Sequence, residues 1–466
     1  MNSYSIPNEL FELSRLFKKA GFCLYAVGGM TRNPLLGLPV SDIDVTSAMT
    51  PEDVIRLCER EGIKNVPKGI DFGTVEIHIQ DEERKLSVEH TTFRSDVYGG
   101  GGAHRPQAVR FTDDLAQDAF RRDFTVNAIY RDIESGDVID PTGGMKDIEK
   151  RLIRATSSDP SVILRDDGLR IMRMARFACQ LGFDVEEGTF NAAREHVGLL
   201  RDISAERIRD EFDKILLSDM RYPNRGESFE PVLTGLNMLD EVGAVTVLFP
   251  ELEVCRGVEQ NTPYHRYDVL QHLYHTAAAA PGRLFMRLAG LFHDVGKPIA
   301  LKRSGKMYGH DDIGVVIARE IFLRLKYPRR IQEEALFIIQ NHMYDLKNTA
   351  KETTLRAHFA KLGYERSVWL ARFRQADVTG SGVKKRADES AMRWLKLLET
   401  MKREGAPFSL AELKCSGEDV MRWLDMPASP EIGEIKRRLL AHCARIPKDN
   451  RPDRLEFVAK GMRPKR

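Results

Sequence analysis

Strand-like patterning is confined to the first 140 residues of this 466-residue chain, and that asymmetry limits what it can fold into. The runs CLYAVGG, IDVTS, TVEIHIQ, LSVEHTTF and AVRFT carry β-branched clusters or apolar–polar alternation between glycine turns. The glycine tract at 99–102 reads as a mobile loop among them. After DPTGGMKDIEKRLIRA the strand signal disappears. DDGLRIMRMARFACQLGF reads as a helical segment closed by Gly182, and SAERIRDEFDKILLS as a helix with Ser204 at its N-cap and Ile208, Phe212, Ile215 and Leu216 on one face. Everything onward reads helical. The length calls for two to four domains, so the expectation is a multidomain α+β protein: one mixed block, then helical ones.

Charge gives no direction by itself. With 71 basic and 69 acidic residues the formal net charge is +2, so a nucleic-acid partner would need a local basic surface. Basic clusters at 384–386, 436–438 and 465–466 mark a helical tail. The six cysteines are scattered without a C-x-x-C pair, which reads as reduced thiols in a reducing compartment. The first residues read as an amphipathic helix opened by Pro7, with Leu10, Leu13 and Phe17 on its apolar face and Gly21 ending it, rather than as a signal peptide. No run approaches the ~20 apolar residues of a membrane span, so a soluble cytoplasmic protein is expected.

The stretch GGMTRNPLLGLPVSDIDV carries the first chemistry. Residues i and i+2 of a strand share a face, so Asp42 and Asp44 project together while Ile43 turns to the core. Two hard carboxylates on one face suit Mg²⁺, and two metals can clamp the attacking and leaving oxygens of a phosphoryl displacement. Gly28 and Gly29 let backbone approach a phosphate at the start of a helix, and Arg32 adds charge for a triphosphate. A lone D-x-D is usually a solvated strand face; the glycine pair, arginine and strand setting together favour function. Glu89 in LSVEHTTFR has the setting of a third acid on a neighbouring strand. DAFRRDFTVNAIY then packs Arg121, Arg122, Asp123 and Asn127 around apolar Phe124 and Ala128, a cluster suited to triphosphate and ribose hydroxyls.

These motifs resemble the bacterial class II tRNA nucleotidyltransferases, the CCA-adding branch of the polymerase β-like nucleotidyltransferase superfamily. The resemblance rests on Gly28-Gly29 with Arg32, on Asp42-x-Asp44, on RRDFTVNA at 121–128, DPTGGMKDI at 140–148, DDGLRIMRMARFA at 166–178 and SAERIRDE at 204–211. It implies that Asp42 and Asp44 hold catalytic Mg²⁺, that Arg32 and Arg121 contact phosphates, and that Asp123 helps recognise ribose. Asn33 departs from the pattern, which has an aspartate after that arginine.

RDDGLR resembles the family's nucleobase motif, with Asp166 in place of its glutamate. Three residues apart on a helix, Asp167 and Arg170 would share a face and offer one acceptor beside a fork of donors. Cytosine and adenine both present an amino donor beside a ring-nitrogen acceptor, whereas uracil and guanine reverse that order. A buried mismatch costs roughly 1–3 kcal/mol per unsatisfied group, so one rigid pair would admit CTP and ATP. Arg173 and Arg176 face either RNA phosphates or neighbouring acids.

Histidines mark a second region, with seven of the twelve between residues 265 and 358. YHRYDVLQHLYHTA, LAGLFHDVGKP, YGHDDIG, IIQNHM and RQADVTG resemble the HD phosphohydrolase superfamily, whose four-ligand pattern His272, His293, Asp294 and Asp377 match. Imidazole with carboxylate suits Mn, Ni or Co, or Mg with enough carboxylate. His310 and His342 would widen the site to a second metal or contact phosphate, and Lys297 would assist at phosphate or as a general acid. The resemblance implies phosphatase or 2′,3′-cyclic phosphodiesterase activity.

The expected order is a catalytic nucleotidyltransferase head over 1–140, a helical neck for nucleobase recognition over 141–205 and a helical body over 206–259. An HD domain over 260–385 and a helical tRNA-binding tail over 386–466 follow. The function expected is addition of CCA to tRNA 3′ ends from CTP and ATP, by a monomer or homodimer that grips the acceptor stem. The competing readings are a CC-only or A-only transferase, a poly(A) polymerase, an HD hydrolase with a non-catalytic head, and a non-catalytic RNA-binding protein.

Overall fold

The computed structural model describes residues 6–80, 85–97, 108–222, 229–260, 264–383 and 388–462. The glycine tract at 99–102 and the basic clusters at 384–386 and 465–466 lie outside them. The chain divides into two compact units, Met1–Pro250 and Glu251–Arg466. Among the described residues no helix is long and apolar enough to cross a membrane.

The first unit opens with the helix Asn8–Lys19, its N-cap at Pro7. Leu10, Leu13 and Phe17 recur at helical spacing and are buried against Val45, Val54, Val75, Ile77 and Val88. The strands in chain order are β1 (Tyr25–Ala26), β2 (Ile43–Ser47), β3 (Lys64–Gly69), β4 (Thr74–Gln80), β5 (Lys85–Thr92), β6 (Arg94–Val97), β7 (Ala108–Phe111), β8 (Tyr130–Asp132), β9 (Val138–Ile139), β10 (Leu152–Ile153) and β11 (Asp184–Val185). Seven form one mixed sheet in the order β3-β4-β5-β2-β1-β8-β9, in which only the β2–β5 pairing is parallel.

Each strand-like run of the sequence contains a strand. β6 directly follows the LSVEHTTF run, and the remaining strands escaped the pattern for physical reasons: β3 is a mostly exposed edge strand with Pro67 and an irregular register, so it has no apolar alternation to display. β8 to β11 are two or three residues long, too short for a period. The strand signal also does not end at residue 155, because β11 pairs in parallel with β10. Beyond these strands the helices follow the sequence closely. Leu169–Leu181 is closed by Gly182 in the left-handed region, and Ala205–Leu216 has Ser204 at its N-cap position, without a side-chain cap bond.

The described residues of the second unit are helical throughout. Val269–Ala279 packs against Leu284–Phe292 and Tyr364–Gly380, a three-helix contact that brings histidines and acids from separate segments together. Gly290 permits that approach: a Cβ added there would stand 2.7 Å from Ala277 Cα and 2.9 Å from its backbone nitrogen. Of the tail's basic clusters, 436–438 lies on the helix Pro430–Arg445, with Arg437 and Arg438 exposed.

Because the obstruction at Gly290 is backbone rather than a flexible side chain, Gly290→Ala is expected to destabilise the second unit by about 3 kcal/mol. All three tryptophans (369, 394 and 423) lie in that unit, so urea unfolding followed by tryptophan fluorescence reads the change directly.

Candidate functional site

One cavity of about 960 Å³ in the first unit gathers most of the candidate residues. Its acidic floor follows from sheet register. Asp44 on β2 stands beside Glu89 on β5, and Glu89 stands opposite Glu76 on β4, so three carboxylates run in a row across three strands. Asp42, just before β2, lines the same cavity. Gly28, with φ +63, turns the chain from β1 into the helix Gly29–Leu35, and its position lies 3.7 Å from Asp44 Oδ2 when a Cβ is added.

The floor is electrostatically uneven. Burial, then the neighbouring charges of Glu89 and Asp42, push Asp44 up to about 6. Burial also opposes ionisation of Asp42, but the Ser41 hydroxyl and Arg221 outweigh it and hold its pKa below the usual value. The Arg221 Nη2 donates to Asp42 Oδ2 at 2.8 Å. Glu76 is paired with Lys68.

Guanidinium groups form the facing wall, each tied to a protein acceptor. Arg32, 4% exposed, donates to Asn33 Oδ1 through Nη2 at 2.8 Å and through Nε at 3.2 Å, and to Asn127 Oδ1 through Nη1. It also lies over the Phe177 ring. Arg121 and Arg122 both pair with buried Asp118. Asp123 accepts from Arg173 Nη2 at 2.6 Å and from Asn127 Nδ2 at 3.0 Å; burial opposes its charge, yet Arg173 outweighs it and Asp123 stays ionised. Arg176 pairs with Glu211. Both Arg173 and Arg176 line the cavity while paired with neighbouring acids.

Asp167 and Arg170 line the cavity but do not share a helix face, which corrects the expectation from their spacing. The helix Pro160–Asp166 ends at Asp167, whose φ of −148° and ψ of 105° are extended, and a new helix starts at Leu169. Asp167 Oδ1 accepts from the Leu169 backbone N–H at 3.1 Å, the local bond that an Asp-Gly pair favours over continuing a helix. Arg170, 8% exposed, donates to the carbonyls of Ile163 at 2.9 Å and Arg121 at 2.8 Å. The partner of Asp167 is Arg207, at 2.6 Å.

The second unit assembles the histidine–aspartate set completely. His272 Nε2, His293 Nε2 and Asp377 Oδ1 lie 3.1 to 3.4 Å apart. Asp294 sits beside them with its two oxygens facing different ways: Oδ2 is 3.3 Å from His272 and 3.2 Å from His293, and Oδ1 is 2.9 Å from His310 and 3.5 Å from His342. Lys297 contacts Asp294 Oδ2 and donates to Gln260 at 2.6 Å. The Nδ1 atoms of His293, His310 and His342 are bonded to the carbonyls of Gly290, Met307 and Ile339, which aims each Nε2 inward. Burial opposes charge on Asp294 and Asp377, but His293 and His272 outweigh it and both acids are held well below the carboxylate range. A set of imidazole and carboxylate atoms this close fits a divalent cation, and among the described residues two such groups are present, His272–His293–Asp377 and His293–Asp294–His342.

Sequence reasoning missed Arg207, Arg221, Lys68 and Glu76, all of which line the head cavity. Glu76 had a signal, since it shares the alternation of TVEIHIQ with the solvent face. Lys68 pairs with Glu76 across neighbouring strands, Arg207 lies in the SAERIRDE run but its partner Asp167 is forty residues away, and nothing local marks Arg221.

Comparison with known proteins agrees with this layout. A profile for the Poly A polymerase head domain matches residues 24–154, one for the probable RNA and SrmB-binding site of polymerase A matches 182–223, and one for the HD domain matches 262–364. A CCA-adding enzyme of Streptococcus mutans is 41% identical over 215 residues, covering 45% of this chain and 51% of that protein. A multifunctional CCA protein of Nitrosomonas eutropha is 32% identical over 329 residues, covering 68% of this chain and 73% of that protein. The chain spans about half the length of the streptococcal relatives it matches. In fold it is similar to the CCA-adding enzyme of Bacillus stearothermophilus in complex with CTP, with a TM-score of 0.70 at 24% identity over 97% of this chain and 96% of that one.

The raised pKa of Asp44 gives a prediction independent of turnover. Between 3.8 and about 6 the folded state keeps a proton that the unfolded chain has lost, so stability falls as pH rises through that window and the full penalty is present at pH 8. Asp44→Asn removes the ionisable group. In chelator it is expected to stabilise the protein at pH 8 by on the order of 2–3 kcal/mol and to change little at pH 4, as read by calorimetric unfolding at both pH values.

Proposed function

This chain belongs to the family of CCA-adding enzymes, and from that premise we propose that its first unit adds C, C and A to tRNA 3′ ends from CTP and ATP without a nucleic-acid template. The observation that carries this reading is one cavity holding an acidic sheet floor, a wall of guanidinium groups and Asp167. In the reaction the terminal 3′ hydroxyl attacks the α-phosphate and pyrophosphate leaves. Asp42, Asp44 and Glu89 are the residues that would hold Mg²⁺, which supplies charge stabilisation for the attacking and leaving oxygens. Arg32 and Arg121 bind phosphate oxygens, with Gly28 and Gly29 keeping side chains out of the way. Asp123, joined to Arg32 through Asn127, orients the ribose. Asp167 and Arg170 face the base, and Arg173 and Arg176 keep Asp123 and Glu211 charged and in place.

We further assign a phosphohydrolase site to the second unit, acting on 3′-phosphorylated or 2′,3′-cyclic ends of RNA. His272, His293, Asp294 and Asp377 would hold a divalent Mn, Ni, Co or Mg ion, with His310 and His342 extending the set through Asp294 Oδ1. Held by these residues, such an ion would supply Lewis-acid activation of water and of the phosphoester. Lys297 binds the phosphate. Within the chain the working divisions are head 1–140, neck 141–205, body 206–259, HD domain 260–385 and tail 386–466, the helical parts gripping the acceptor stem by shape and phosphate contacts. The same reading places the protein in the cytoplasm as a monomer or homodimer.

The test uses tRNA transcripts ending before the tail, after C and after CC, with CTP or ATP supplied singly in Mg²⁺. With CTP alone the first two transcripts are expected to stop at CC, with ATP alone the third is expected to gain A, and both nucleotides together are expected to complete CCA on all three; extension of only one class makes this a CC-only or A-only enzyme, and no incorporation overturns the transferase reading. Asp42→Ala and Asp44→Ala are each expected to lower nucleotide addition by roughly a thousandfold or more while phosphate release from a 2′,3′-cyclic RNA end persists. His293→Ala is expected to do the reverse. One substitution that removes both activities from a folded protein contradicts the two-site arrangement.

A further inference from the structure

SAERIRDE stands out in the sequence, and nothing in the reading above uses the first of its two arginines. Arg207 lies in the helix Ala205–Leu216, forty residues beyond Asp167, yet its Nη2 donates to Asp167 Oδ2 at 2.6 Å inside the head cavity. We propose that Arg207 is a specificity-determining residue for the incoming nucleotide, acting by fixing the Asp167 carboxylate as an acceptor in one orientation. The proposal rests on the transferase reading of this cavity and adds to it the residue that makes base selection sharp.

Geometry supplies the argument. Asp167 is not held by a helix, since its backbone is extended between two helices, and an aspartate side chain there would be free to turn. Two bonds prevent that: the Leu169 backbone N–H holds Oδ1 at 3.1 Å, and Arg207 holds Oδ2 at 2.6 Å. Each oxygen keeps a second lone pair, and these are what the carboxylate can offer a base. A carboxylate paired with a guanidinium remains ionised and accepts only, so it matches the amino groups of cytosine and adenine and meets the carbonyls of uracil and guanine as like against like. Arg170, expected to share a helix face with this acid, does not touch it and donates to the carbonyls of Ile163 and Arg121. Arg207 is the remaining constraint on Oδ2. Its side chain is 40% exposed, against 17% for Asp167, so it fills the role without being a core support.

The experiment measures kcat/KM for CTP and UTP on a transcript lacking its last three nucleotides, using the full chain. In Arg207→Ala the CTP-to-UTP preference is expected to fall about tenfold or more, and Arg207→Lys, which keeps the charge and one N–H, to recover part of it. Asp167→Asn combined with Arg207→Ala is expected to discriminate no worse than Asp167→Asn alone, because the two residues act as one unit. Arg207→Gln is carried alongside so that poor folding of the alanine variant does not decide the matter. An unchanged preference in folded Arg207 variants, with only a lower overall rate, overturns the proposal, as does full additivity with Asp167→Asn. If the wild-type chain adds no nucleotide, the transferase reading fails, and this inference is read from equilibrium binding of CTP and UTP. A wild-type preference for CTP that Arg207→Ala narrows sustains it, and equal binding by the wild type overturns it.

Discussion

A guanidinium taken out of water must find acceptors for its N–H groups, and the head cavity is organised by that demand. Arg32 finds Asn33 and Asn127, Arg122 finds Asp118, Arg173 finds Asp123, Arg176 finds Glu211, and Arg170 finds two backbone carbonyls. The pairs of Arg32, Arg173 and Arg176 reach across the chain, and they join the helix Gly29–Leu35, the short helix Thr125–Asn127 and the helices Leu169–Leu181 and Ala205–Leu216 into one wall. The acceptors are chosen so that the positive charges stay in place with no ligand to hold them. A triphosphate entering such a wall meets donors already aimed and pays little reorganisation, which is how a polar site gains more from electrostatics than water can offer.

The second unit solves the converse problem. There the demand comes from buried carboxylates, and imidazoles answer it. His293 and His342 stand just past helix ends and His310 at a helix start, positions where a carbonyl within three residues is free to accept from Nδ1. That bond turns Nε2 toward Asp294. The donors converge because helix ends converge, and the helices converge because small residues such as Gly290 and Ala277 let their backbones approach.

How much of this was legible in the sequence depended on whether the determinant was local. The D-x-D spacing pointed to one cavity for Asp42 and Asp44, although Asp42 lies just before β2 rather than in it, and motif identity located Arg32, Arg121, Asp123, Asn127 and the six residues around Asp294. Helical spacing misplaced Asp167 and Arg170, because the Asp-Gly pair between them ends one helix and starts another; the turn signal in RDDGLR outweighed the i, i+3 relation. The pairings of Arg207 and Arg221 were invisible for a different reason, although Arg207 itself lies in the SAERIRDE run. Their partners, Asp167 and Asp42, lie 40 and 179 residues away, and no local period encodes a long-range pairing.

Asn33 shows how a departure from a motif can be structural accommodation rather than lost function. A carboxylate at this position would accept from Arg32 as Asn33 Oδ1 does, so the amide keeps that interaction. What the amide adds is a donor: Nδ2 gives hydrogen bonds to the Pro39 carbonyl at 2.8 Å and to the Tyr222 hydroxyl at 3.0 Å. An aspartate would set its charge against the Pro39 carbonyl, which has no proton to offer. Tyr222 adjoins Arg221, whose guanidinium holds Ser41 and Asp42. The amide therefore sits at one end of a strap that ties residues 221 and 222 to both sides of the turn leading into β2. A charge removed from beside Arg32 is exchanged for a bond that steadies the loop carrying Asp42, and the two changes make sense only together.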